Sequence, residues 1–170
     1  MAETSSDAES LALLAYLDGQ RQHVIEVLSG LDDDDLRRPV LPSGWTSLGL
    51  VQHLALDVER FWFRAVVAGE QSVIAGLDAT PNLWEVDRSM SAESIFEIYR
   101  NEIALANAII ENTAPDAPPA WWPDDLFGDF RLNTVREIIL HVMTETATHA
   151  GHLDIVRELI DGRQWLVLTE

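Results

Sequence analysis

The stretch HVMTETATHAGHLDIVRELIDG, residues 141–162, carries His141, His149 and His152 together with Glu145, three of the chain's five histidines. On an α-helix, steps of three and four residues nearly close a turn, so these four side chains share an arc of roughly 80°. Imidazole and carboxylate on one helix face are the groups that bind divalent cations. Glu145 and His149, at i and i+4, can reach one ion together. An upstream segment repeats the pattern once: His53, Asp57, Arg60 and Arg64 form a polar line beside Leu50, Leu54, Val58 and Phe61. If His53 faces the pair across a bundle, two imidazoles and one carboxylate make a three-ligand metal site with positions left open, as catalytic rather than closed structural sites have.

The plain alternative is that these are core residues hydrogen-bonding one another, with His141 and His152 merely lining the interior. An unpaired ion or donor in the interior costs several kcal/mol, and one shared cation satisfies the whole cluster at once, so the clustering favours the metal. Asp57, four residues after His53, suits the second ring N–H of that histidine, though a solvated carboxylate fits equally. Arg60 and Arg64 could clamp a substrate carboxylate, but pairing with Asp or Glu is the favoured reading in so acidic a chain.

The elements that must hold these groups are helices. Apolar residues recur at helical spacing in four long segments bounded by caps and breakers. The first covers about residues 7–29 and stops at Gly30, Pro39 and Pro42. The second starts at Thr46 or Ser47 and continues to Gly69. A polar connection, residues 70–90, leads to a third helix from Ser91, where SAES reads as a capping box, to about Asn112. The fourth opens on TVRE, a capping box at Thr134 and Glu137, and ends near Gly162. Between the last two lies APDAPPAWWPDDLFGDF, a proline-rich loop in which Trp121 and Trp122 either wall a pocket or anchor the loop, the second being favoured. Trp45, Phe61, Trp62 and Phe63 read as packing or subunit contacts, and the DDDD run as a solvated helix start or turn. Nothing alternates at strand period, so the expected fold is all-α, a four-helix bundle forming one domain over residues 1–170.

Composition narrows the chemistry. With 170 residues, 47% of them hydrophobic, the chain can bury an ordinary core. A formal charge of −18 argues against nucleic-acid and anionic-membrane partners, whose affinity comes from neutralising phosphate. There is no cysteine, hence no disulfide, thiol nucleophile or cysteine-ligated zinc. All eleven basic residues are arginine, which removes Schiff-base lysines and Walker phosphate loops. The start, MAETSSDAES, does not read as a secretory signal and no run spans a membrane, so the expected location is the cytoplasm.

The pairing of QHL in the second helix with ETATHAGHLD in the fourth resembles the DinB-like superfamily. RELIDG and the acidic, Trp-bearing middle resemble its actinobacterial mini-circle-protein branch. The resemblance implies an up-down-down-up four-helix bundle holding one divalent metal, with ligands at His53, Glu145 and His149. It sets His152, where many relatives have glutamine, beside His141 and Asp57 as supporting residues. It further implies kinship with the bundle domain of mycothiol-dependent maleylpyruvate isomerase and with thiol S-transferases; the isomerase's additional C-terminal domain is not expected here, nor is isomerase activity. The expected function is therefore a metal-dependent enzyme, a mycothiol-type S-transferase acting on an electrophilic small molecule. Zinc or nickel is the expected ion, and Arg60, Arg64 and His152 are candidates to bind the thiol or substrate. The alternatives are a metal-dependent hydrolase, a non-haem iron oxygenase, or a non-catalytic metal- or ligand-binding bundle, possible as a homodimer.

Overall fold

In the computed structural model the described residues are 5–77 and 82–165. Of the tail RQWLVLTE, residues 163–170, which the sequence leaves as either extended or packed on the bundle, Trp165 stacks on His23 with centroids 4.8 Å apart, and residues 166–170 lie outside the described part. Four long helical stretches dominate: α1 (Ser5–Val27), α3 (Ser47–His53) with its continuation, α5 (Ala92–Glu111) and α6 (Val135–Asp161). Two single-turn helices, α2 (Asp33–Leu36) and α4 (Gln71–Ile74), lie in the connections. Among the described residues there is no strand, and no helix is long and apolar enough to cross a membrane.

Local chemistry sets the boundaries. The Thr46 side chain accepts from Gly49 N–H at 3.0 Å and starts α3. Thr134 and Glu137 form the reciprocal capping box at α6, and Gly162 ends that helix in the left-handed conformation at φ 80°. Ser91 caps α5 as expected, but not with a box: the residue three positions on is Ser94, whose N–H and hydroxyl bond to the Ser91 hydroxyl, while Glu93 stands one place too early. The DDDD run is a helix start, with Asp32 as the cap of α2 and three aspartates in its first turn, where the helix dipole favours negative charge.

The second long helix departs from the expected plain α-helix. After His53 it continues without a break in the π form over Leu54–Val67, the π segment, and its last turn keeps the five-residue spacing, Ala68 N–H to Phe63 C=O at 2.9 Å. Wider winding changes which residues share a face. Positions four and five apart now align, so Asp57, Phe61 and Trp62 line one cleft, while Arg60 and Arg64 turn toward Glu102 of α5. The straight polar line from His53 to Arg64 is broken in two.

Pairs between helices give the topology. Glu9 pairs with Arg136, His23 with Asp154 at 2.8 Å and the Val27 carbonyl with Arg157 at 2.8 Å, so α1 and α6 run parallel. His53 meets His149 and Trp62 meets His141, so the second helix opposes α6. Arg21 reaches Asn107, while Leu28 lies near Phe96, so α1 opposes α5. The order is up-down-down-up, and the parallel second and third helices require the long return through α4 and Trp84. The core contains Leu17, Val24, Leu50, Leu54, Phe63, Ile138, Ile139 and Leu153.

Candidate metal centre

His53 is the last residue of α3 and faces Glu145 and His149 on α6, one turn apart. Ligand-capable atoms of these three lie within 4.8 Å of one another. His53 sits in a fixed orientation. Its Nδ1 is 2.9 Å from Asp57 Oδ2, and its Nε2 faces Glu145 Oε1 at 3.7 Å. Trp84 stacks on the opposite side of the ring, centroids 4.3 Å apart. Trp84 is held there by α3. Gln52 Nε2 donates to the Leu83 carbonyl at 2.8 Å, and a Cβ on Gly49 would stand 2.3 Å from the Trp84 carbonyl oxygen, an approach that only glycine permits.

The other two histidines extend the cluster. His141 Nε2 lies 3.5 Å from Glu145 Oε2 and its ring meets Trp62 edge-on at 4.7 Å. His152 packs against His149, centroids 5.5 Å, and against Trp45 at 6.4 Å. Neither belongs to the three-ligand set. Arg60 and Arg64 stand apart from it: Arg60 gives Nε and Nη2 to Glu102, and Arg64 bonds Glu70 and Glu102.

Electrostatics divide the three groups. Burial works against charge on His53, but Asp57 and Glu145 outweigh it and raise its pKa to about 9. Burial and the neighbouring His53 press His149 down to about 4. Burial raises the Glu145 carboxyl, yet His53 and His141 carry it below its ordinary value. The contacts at 3.5 and 3.7 Å are too long for good hydrogen bonds. His149 Nδ1 is buried without a partner. The Glu145 carboxylate, the neutral His149 ring with its orphaned nitrogen, and His53 once it has given up its second proton fit a divalent cation.

A cleft of ≈ 430 Å³, lined by Glu145, His141, Asp57, Trp62 and Phe127, borders this centre at Glu145. A larger cavity of ≈ 550 Å³, lined by Ser10, Leu14, Ile110 and Pro115, contains no imidazole. Trp121 and Trp122 anchor their loop, as favoured from sequence. The backbone N–H groups of Ala120 and Trp121 bond to the Val67 and Val66 carbonyls, and the buried Trp122 packs on Trp62. The cleft wall comes instead from Leu126 and Phe127, which sequence reasoning missed; the only signal was their place after an anchored Trp-Trp-Pro.

The sequence model of the mycothiol-S-transferase family matches residues 12–162. The chain belongs to that family. The family has the DinB-like fold, in agreement with the helix order found here. Neither a curated protein nor a solved structure matches the chain.

Proposed function

We propose that this family member is a metal-dependent mycothiol S-transferase, and that His53, Glu145 and His149 hold one divalent cation, zinc or nickel by the chemistry of the donors. The observation that supports it is the convergence of these three groups, with Glu145 also lining a cleft. The actinobacterial mini-circle-protein branch is the proposed place of the chain within the DinB-like proteins. A cation at this point supplies the positive charge that favours a thiolate over a thiol near neutral pH, in a chain with no cysteine of its own.

The protein's own groups do the rest. Asp57 accepts the Nδ1 proton of His53 and so aims Nε2 at the ligand position. Trp84 and the buried packing of α3 keep that ring from turning. His141, bordering the cleft, is placed to accept the thiol proton. A second, more polar cleft of ≈ 350 Å³, on the Arg60 side of Asp57 and lined also by Ser72, is offered to the thiol. There Arg60 keeps Nη1 outside its bonds to Glu102. In the transfer, sulfur bonds to the electrophilic carbon while the leaving group departs with its bonding pair.

Calorimetric titration of mycothiol into metal-loaded protein should show binding with proton release, and thiol consumption should follow when an electrophile is added. Glu145→Gln should weaken binding more than His152→Gln. Absence of both binding and thiol consumption across a panel of electrophiles would end this reading and leave a hydrolytic or purely binding metal site.

A further inference from the structure

Two clefts meet at Asp57, and their walls differ in kind. The one that reaches Glu145 is aromatic. Trp62 and Phe127 lie nearly parallel, 10° apart with centroids at 5.5 Å, and Phe61 meets both edge-on at 5.1 and 6.0 Å. Its formal charges are the carboxylates of Asp57 and Glu145, and no arginine lines it. The two arginines of the same helix are turned away to Glu102 and Glu70.

Flat apolar groups gain from such a wall through stacked and edge-on contacts. An anion that does not ligate metal finds no guanidinium along this wall, passes Asp57 and approaches a chain of net charge −18, while Glu145 is committed to the proposed cation. We infer that this cleft receives the electrophile and selects an uncharged, flat aromatic one. The inference rests on the transferase reading for the word electrophile; the selectivity rests on the wall alone.

The experiment uses the metal-loaded full chain and two unreactive probes with the same ring system, 2-naphthylmethanol and 2-naphthalenesulfonate, the second an anion that ligates metal weakly. Equilibrium binding should favour the neutral alcohol by about tenfold or more. Phe127→Ala should weaken its binding about fivefold or more by removing the stacked partner. Because that change touches a loop, Thr144→Trp provides a second arm: Thr144 is exposed on α6 at the cleft rim, and a bulky ring there should obstruct entry without disturbing the loop. Equal binding of the two probes, or binding that neither variant alters, overturns the inference.

Turnover is read separately with 2-(chloromethyl)naphthalene and mycothiol. In this reaction the S–C bond forms, chloride leaves with the C–Cl pair, and the thiol proton passes to buffer. Neutral-selective binding without turnover of this electrophile or of the wider panel ends the transferase reading and leaves the cleft's selectivity standing. Turnover unaffected by Phe127→Ala and Thr144→Trp moves the electrophile elsewhere and overturns the inference while the transferase reading survives.

Discussion

The second helix separates two polar clusters whose bonding is opposite in character. On one side Arg21, 1% exposed, is saturated: Nε and Nη2 form a two-pronged pair with buried Glu59 at 2.7 and 2.6 Å, and Nη1 bonds Asp18 and Asn107 at 2.7 and 2.6 Å. On the other side the groups around Glu145 stand 3.5 and 3.7 Å away, and His149 keeps a buried nitrogen without a partner. The first cluster engages every nitrogen of Arg21 and ties α1, α5 and the π segment together. The second has unused bonding capacity pointed at one place. Saturation marks a structural group, and directed incompleteness marks a site for something else.

The largest effect should follow from damaging the saturated cluster. Arg21→Met leaves Glu59 buried and unpaired, which should cost about 3–5 kcal/mol by chemical denaturation, whereas replacing both with apolar residues should recover most of it. Metal stoichiometry of the folded fraction should be unchanged. Stability equal to wild type in the single variant would show that the pair does not hold the bundle.

The opposite result is expected at the incomplete cluster. His149→Ala should lower metal affinity more than about 100-fold, beyond the usual cost of changing an outer partner. Without metal its stability should shift by less than about 1 kcal/mol. Chelation of the unmodified protein should lower the melting temperature modestly by linkage and leave helical circular dichroism intact. Full metal retention with a large stability loss would place His149 in the core instead.

How far this contrast was legible in the sequence depends on the range of the forces involved. The caps at Thr46, Ser91 and Thr134 and the stop at Gly162 are local, and so are Glu145 and His149 one turn apart; all could be read directly. His53 was reachable because it is the one histidine of the second helix. Arg60 and Arg64 were placed on its face by α-helical periodicity, and the π winding moved them, because the hydrogen-bond register leaves no mark in the residue pattern. Trp84 sits in a stretch that reads as a polar connection; its place over His53 depends on Gly49 and Gln52, some thirty residues earlier. The Arg21–Glu59 pair, 38 residues apart, had no local signal at all.

A smaller effect concerns protons. With His53 held up to about 9, loading a cation at pH 7 must expel its second proton, so calorimetry in buffers of different ionisation enthalpy should report about one proton released. Asp57→Asn should reduce that release and weaken metal binding about tenfold. Without metal, His53, raised in the fold, contributes stability that is full below its ordinary 6.5 and is lost as pH rises through about 9. His149, depressed to about 4, works the other way: below 6.5 the unfolded chain takes up a proton that the folded one refuses, so stability falls between 6.5 and 4. Chelated protein should therefore weaken on both sides of neutrality, and His149→Ala should remove the contribution on the acid side. A stability–pH curve identical in the variant would contradict this assignment.

The smallest effect tests the comparison at its weakest point, because the saturated cluster also contains an orphan. Tyr99 is fully buried beside Arg21 and Glu59, and its hydroxyl has no partner. If incompleteness alone marked a binding site, this hydroxyl would compete with His149 Nδ1 for that role. The surroundings differ, however. His149 converges with two other potential ligands, His53 and Glu145, whereas Tyr99 faces groups already committed to one another. An unsatisfied buried hydroxyl costs about 1–3 kcal/mol, and removing it leaves only a small void, so Tyr99→Phe should be neutral or stabilising by up to about 1 kcal/mol. Metal affinity and proton release should not move. A loss above about 2 kcal/mol would mean that the hydroxyl bonds a buried water that completes the Arg21 cluster, which would make that cluster more fully saturated and the contrast with His149 sharper.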